Sequence, residues 1–411
     1  MEQYDSIVIG GGPAGLFCAI HAALPGRRIL LLEKNPCPGN KLLLAGSGQC
    51  NFTHTGDIQD FLFHYGDHGK FLKPALFSFP NQALIAFFSE HGLAAETDAN
   101  GKIFPITCKS ADVLALLVKE SRQRGVDLRS AEPVACVHRT TEGFEVSTPK
   151  ATYHSPLLVI TTGGASYPKT GSTGDGLRFA ASLGQPVTDI APALTPLRIK
   201  AFPLAALSGI SFERLHFSVW RAGKKIADYL GDVLITHHGL SGPGILDASR
   251  DIQPGDVVRL SFVGNMSREE FVADLTKRAE ENRTWQLTTV LAAYPIPERL
   301  NRKLLTLSGI PVDLTCAHFS AAQRLTLITN CTEFPLTVSA PGDFSIAMVT
   351  RGGVALEHIN PKTMESKIVP NLYFAGEVLD IDGDTGGYNI QAAFSTGYLA
   401  AVSIRKRWER G

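Results

Sequence analysis

Near the start of the chain, Gly10-Gly11-Gly12-Pro13-Ala14-Gly15 joins an apolar strand, SIVIG, to a helical stretch, and a second apolar strand, RILLLE, ends at Glu33. Glycines in this order suit the phosphates of a dinucleotide. Gly10 permits a tight turn, Gly12 lets the backbone approach a pyrophosphate, and Gly15 lets the helix pack closely on the strand. The helix N-terminus offers unsatisfied N–H groups and the positive end of a dipole, so Pro13 and Ala14 stand with the glycines as expected cofactor contacts. Glu33 is suited to accept hydrogen bonds from adenosine ribose hydroxyls, which favours FAD or NAD over NADP, and Lys34 follows it into the same expected site.

A second group of residues lies close to the C-terminus. VPNLYFAGEVLD at 369–380 reads as a buried strand followed by Gly376 and Glu377, whose carboxylate is suited to ribityl hydroxyls at the carboxyl end of a parallel sheet. Gly386-Gly387-Tyr388-Asn389-Ile390 then opens a long helix and aims a second helix N-terminus into that crevice. Such an end stabilises charge that develops at the N1 and O2 edge of a reduced flavin. With the turn Thr162-Gly163-Gly164 between the two segments, the expected cofactor is noncovalent FAD rather than NAD.

These residues need a sheet and helices to hold them, and the chain has length to spare. Its 411 residues suffice for two or three domains, and Lys plus Arg equals Asp plus Glu at 39 each. That balance gives no basic excess for nucleic acid, which is not an expected partner. The seven cysteines form no C-x-x-C pair, so neither a disulfide framework nor a structural metal site is expected. The opening MEQYDSIVIG lacks a basic leader and no apolar run reaches membrane-spanning length, so the expected location is the cytoplasm, away from the bilayer.

Helical patterns at Lys73 to Glu90 and Ser110 to Arg124 follow the glycine loop 39–55, and short β-rich runs lead to the apolar strand PLLVITTGG. From Ala191, period-two segments such as LHFSVWRAGKKIADYLGDVLITH suggest an inserted β-barrel or sandwich, which FPLTVSA and FSIAMVT are expected to close. Between them, 267–330 turns helical, and Ser267 with Glu270 forms a capping-box signature. The expected fold is therefore α/β. A cofactor domain at 1–190 and 350–411 is interrupted by a β domain at 191–266 and 331–349 and by a helical subdomain at 267–330.

In order along the chain, GGGPAG, KLLLAGSGQCNFTH, GKIFPIT, GGASYPKTGSTGDG, THHGLSGP, INPKTMESK and LYFAGEVLDIDGDTGGYNIQAA carry a resemblance over nearly the full length. The chain resembles the bacterial NAD(P)/FAD-dependent oxidoreductase family whose members include an aminoacetone oxidase and a 3-dehydro-bile acid reductase. The resemblance implies a glutathione-reductase-type, Rossmann-like FAD domain with a barrel and helical insert. It places Lys41, Ser47, Gly48, Cys50 and Asn51 along the pyrophosphate, ribityl chain and flavin ring, and gives Val134 backbone hydrogen bonds to adenine.

The expected function is hydride transfer between a small organic substrate and the flavin. Cys50 has no second cysteine spaced to form the disulfide that flavin disulfide reductases use. His237 and His238, at an element boundary in the insert, and Tyr388 are the candidate catalytic residues for proton transfer or orientation, in a pocket expected where insert and cofactor domain meet. GSTGDG at 171–176 has the wrong glycine order for a second nucleotide motif. NAD(P)H would then act as a transient co-substrate over the flavin face, or oxygen would be the other redox partner. The competing class is a non-catalytic flavin-binding redox sensor or interaction protein.

Overall fold

The computed structural model describes residues 2–410, without the side chain of Arg410. Two compact units emerge, one of Met1–Ala193 with Phe344–Gly411 and one of Leu194–Asp343. No helix among the described residues is long and apolar enough to cross a membrane.

The first unit is built on a five-stranded parallel sheet, ordered Leu372–Phe374, Leu158–Ile160, Ser6–Ile9, Ile29–Leu32, Asp127–Arg129. Both faces are covered, so the central strands are buried along their whole length instead of alternating. Val8 pairs with Leu31 on one side and Val159 on the other, which brings Gly10, Glu33 and Thr161 to the same carboxyl edge. The opening helix Pro13–Ala22 lies against the closing helix Tyr388–Arg410, and a Cβ on Gly397 would stand only 2.5 Å from the Ala14 carbonyl oxygen. Besides the two-stranded pair of Ala191–Ala193 and Val349–Arg351, two smaller sheets complete the unit. Glu2–Gln3, Thr152–Ser155, Gly143–Ser147 and Cys136–Thr140 form one, and Thr53–His54, Lys102–Pro105 and Ala95–Thr97 the other.

The helical pattern read over Lys73 to Glu90 is two helices, Gly69–Ser78 and Asn81–Glu90, because Pro80 cannot continue the first. The segment FSIAMVT does not close the β region as expected. Only Val349–Arg351 is a strand there, and it pairs with Ala191–Ala193 inside the first unit. That pairing carries the division between units to Ala193/Leu194 and Asp343/Phe344, a few residues from the expected boundaries.

In the second unit, Leu197–Ile199, Gly239–Ser241, Lys224–Ile235, Ser211–Arg221, Val257–Ser261 and Phe334–Pro341 form a closed antiparallel barrel. Val257–Ser261 and Phe334–Pro341 alternate buried and more exposed residues, the pleat period of a barrel wall. The helices Arg268–Glu281, Leu287–Leu291, Glu298–Leu307 and Ala321–Thr332 share one apolar core with that barrel. The Ser267 capping box forms: the Glu270 N–H donates to Ser267 Oγ at 3.1 Å and the Ser267 N–H to Glu270 Oε2 at 2.8 Å.

Candidate active site

At the carboxyl edge of Ser6–Ile9 the chain turns sharply. Gly10 has φ +109°, and a Cβ there would stand 2.6 Å from the Thr161 carbonyl oxygen, so both conformation and space require glycine. Thr161 Oγ1 donates within 3.0 Å of the Ile9 and Gly10 carbonyl oxygens, tying the turn to the neighbouring strand. The opening helix begins with Gly12 as N-cap, Pro13 in the first position, no capping side chain and no acidic residue in its first turn. A Cβ on Gly12 would meet nothing within 4 Å. The helix therefore presents its N–H groups and positive dipole end to open space, a complement for an anion.

Glu33 is buried, with Oε2 accepting from the Gly11 N–H at 2.9 Å and Oε1 from both nitrogens of Asn35 at 2.8 Å. Lys34 reaches across to Asp175 and Thr173, each at 2.6 Å. Val134 follows Glu132, whose N–H donates to the Glu33 carbonyl, and so lies at this end of the site. Thr162, Gly163 and Gly164 follow the strand Leu158–Ile160 at the same sheet edge.

Farther along, the loop Leu42–Gly48 breaks helical geometry at Ala45, Gly46 and Ser47, and Gly48 has φ +92°. Cys50 is fully buried, and burial pushes its thiol up to about 12, so it stays protonated near neutral pH. Asn51 is buried and among the described residues its Oδ1 has no hydrogen-bond partner, while a Cβ on Gly387 (φ +97°) would stand 2.8 Å from that oxygen. Thr53 Oγ1 donates to Gln391 Oε1 at 2.6 Å, fastening the strand Thr53–His54 to the first turns of the closing helix.

The Glu377 carboxylate is engaged by protein donors. Lys41 Nζ lies 2.7 and 2.9 Å from its two oxygens, and Ser166 Oγ and the Thr350 N–H donate to Oε1 at 3.0 and 2.9 Å. The Gly376 N–H donates to Thr396 Oγ1, and the Asn389 amide closes the turn before the helix by bonding the Gly383 N–H and the carbonyls of Gly383 and Asp384. Ile390 lies half-buried in the first turn of that helix. The Tyr388 ring is buried between two imidazoles, His64 at 3.9 Å and His54 at 5.3 Å between centroids, with Phe61 edge-on. Tyr65 donates its hydroxyl to the Tyr388 carbonyl at 2.8 Å, and burial holds that hydroxyl well above the usual phenol range.

All expected cofactor residues thus fall within the first unit. His237 and His238 belong to the second, exposed in a turn that Thr236 braces by accepting the N–H groups of His238 and Gly239 on its Oγ1. Sequence reading missed Ser166, Thr350, Gln391, His64 and Asp384. Asp384 lies in the quoted DIDGDTGGYN stretch, but nothing in sequence ties it to His64 or Thr350 to Glu377.

The HI0933-like protein Rossmann domain family matches residues 4–403. The chain belongs to that family. This HI0933-like protein is 32% identical over 407 residues to a ribosomal RNA dihydrouridine synthase of Escherichia coli (strain K12), covering 98% of each chain. It is 30% identical over 412 residues to the 3-dehydro-bile acid delta(4,6)-reductase of Clostridium scindens, covering 97% of this chain and 98% of that one. Among solved structures, 3-ketosteroid delta1-dehydrogenase from Sterolibacterium denitrificans superposes with TM-score 0.52 at 13% identity, covering 99% of this chain and 100% of that one, a likeness of fold. The protein is an FAD-dependent oxidoreductase. Its residues fit the flavin: an uncapped helix N-terminus facing open space suits a pyrophosphate, and the buried Glu33 carboxylate suits a ribose. The unpartnered Asn51 Oδ1 beside Gly387 suits a polar ring edge.

Proposed function

We propose that this protein reduces a carbon–carbon double bond conjugated to a carbonyl, with NAD(P)H as electron source. The observation that carries the reading is the pair of helix N-termini brought to one parallel sheet with Glu33 and Asn51, a donor and acceptor set for a flavin dinucleotide. FAD, when bound, supplies hydride chemistry. The N–H groups of Gly12, Ala14 and Gly15 would bind the pyrophosphate, Glu33 the ribose, and Val134 the adenine. The loop with Ser47, Gly48, Cys50 and Asn51, together with Gly163, Gly164 and Gly386 to Ile390, would surround the ribityl chain and ring. Lys41 fixes the Glu377 carboxylate at the ribityl position and partly neutralises it.

The substrate class is supported by two relatives over nearly the whole chain, since a dihydrouridine synthase and a delta(4,6)-reductase are both named for saturating a carbon–carbon double bond. A small conjugated enone is the first reading. Uracil within RNA is the second, favoured by the dihydrouridine synthase relative. The barrel and helical segment of Leu194–Asp343 is read as an insert in the flavin domain.

The test is anaerobic. NADH or NADPH should bleach the bound flavin, and a steroid enone or cyclohexenone should restore its colour while uridine-containing RNA does not. Restoration by RNA alone selects the second reading, and a flavin that neither nicotinamide reduces removes the proposal.

A further inference from the structure

His64 and Asp384 form a pair that no expected role absorbs. His64 Nδ1 lies 3.0 Å from Asp384 Oδ2, and the Asp384 N–H donates to the His64 carbonyl at 2.9 Å, so side chain and backbone both fasten this histidine to the turn before the closing helix. Its ring lies flat on Tyr388, centroids 3.9 Å apart and planes 14° apart. A side chain held by a carboxylate, a backbone bond and a stacked ring is pre-oriented at the helix end that the proposed function sets against the flavin ring.

The other histidine on Tyr388 is differently placed. His54 has both ring nitrogens on backbone carbonyls, those of Thr55 and Asn100, each at 3.0 Å. No nitrogen is left for substrate. In His64 only Nδ1 is engaged, the side chain is 36% exposed, and among the described residues Nε2 has no hydrogen-bond partner. The titratable groups packed around it are Asp384 and Tyr388, with His54 on the far face of Tyr388 and the Tyr65 hydroxyl on the Tyr388 carbonyl.

We propose that His64, oriented by Asp384, is the proton donor of the substrate half-reaction, an inference that rests on the double-bond reduction proposed above. In its protonated form the imidazole keeps Nδ1–H on Asp384 and delivers the Nε2 proton to the carbon α to the carbonyl. The β-carbon takes the hydride, the double bond becomes a single bond, and Nε2 regains its proton from water. A carboxylate on the far nitrogen fixes the tautomer and the ring orientation, the arrangement by which a histidine is held ready for proton transfer.

The variant H64F keeps an aromatic ring on Tyr388 and removes the proton, with H64Q as a second variant should H64F misfold. NADPH should bleach the H64F flavin within about twofold of the wild-type rate. Reoxidation of the reduced flavin by cyclohexenone should fall roughly 100-fold or more and lose the decline with rising pH that a histidine acid imposes. D384N should fall about tenfold. Independently of activity, the apoprotein should show a hydrogen-bonded Nδ1–H resonance of His64 by NMR that D384N abolishes. Reoxidation of H64F or H64Q at the wild-type rate with the wild-type pH profile overturns the inference alone. Reduced wild-type protein that no conjugated enone reoxidises overturns the proposed function, and the inference with it.

Discussion

Gly10, Gly15 and Glu33 lie within one continuous strand-helix-strand segment, whereas Asn51, His64, Glu377 and Tyr388 come from stretches far apart in the chain. At the first end the contacts are mostly backbone: a tight turn, an uncapped helix, and a carboxylate accepting the Gly11 N–H. At the other end they are side chains holding one another, with Lys41 on Glu377, Thr53 on Gln391 and His64 on Asp384 and Tyr388. The proposed phosphate site is thus encoded by local backbone conformation, while the proposed ring site is encoded by tertiary contacts. Damage to the first should act through space and backbone, and damage to the second through partners left behind.

The sharpest break in this comparison is between two glycines of one motif. A Cβ on Gly15 would stand 1.9 Å from the Gly10 carbonyl oxygen, so G15V should cost ~4 kcal/mol or more and yield little folded protein. A Cβ on Gly12 meets nothing, so G12V should fold as apoprotein with a near-normal melting temperature and lose its flavin. Circular dichroism with the absorbance spectrum separates them, and a G12V protein with full flavin content would undo the assignment of the phosphate site.

A second effect belongs to the opening helix away from the site. His21 is packed among Phe17, Phe79, Phe87 and Tyr398, and burial lowers it from the ordinary 6.5 to about 3. The unfolded chain takes up this proton first, so stability is full above pH 6.5 and is lost as pH falls toward 3, by about 3 kcal/mol between pH 7 and 4. H21L should flatten that slope in urea titrations at a series of pH values. An unchanged slope would mean that another group controls the acid transition.

At the ring end, K41M leaves the Glu377 carboxylate with Ser166 and Thr350 but without its cation. The side chains are 24% and 20% exposed, between surface and core, and the expected loss is about 1–2 kcal/mol with weaker flavin retention. The double variant K41M/E377Q should recover part of the stability but not the flavin affinity, measured by thermal shift with and without added FAD. The smallest effect lies in the second unit, where S267A should remove one capping box for about 1 kcal/mol and leave flavin content unchanged.

The opening motif was legible because every element of it is local. Glycine order, strand hydrophobicity and a terminal acid are all one-dimensional signals, and the Ser267 capping box was read for the same reason. The family resemblance named the loop that carries Asn51, but sequence gave no sign that Lys41 would spend its charge on Glu377 rather than remain free for phosphate. Nor did it show that the strand ending in Val349–Arg351 would pair with Ala191–Ala193.

By itself, then, the sequence determined the α/β class, the nucleotide turn and the capped helix start at Ser267, since these depend on residue type within a few positions. Tertiary structure alone decided which carboxylate meets Lys41, which imidazole pairs with a carboxylate and which with backbone carbonyls, and that Tyr388 stacks with both. Those outcomes depend on distances between chain segments that share no local pattern. A histidine or lysine reads the same in sequence whether its partner is a carbonyl, a carboxylate or water.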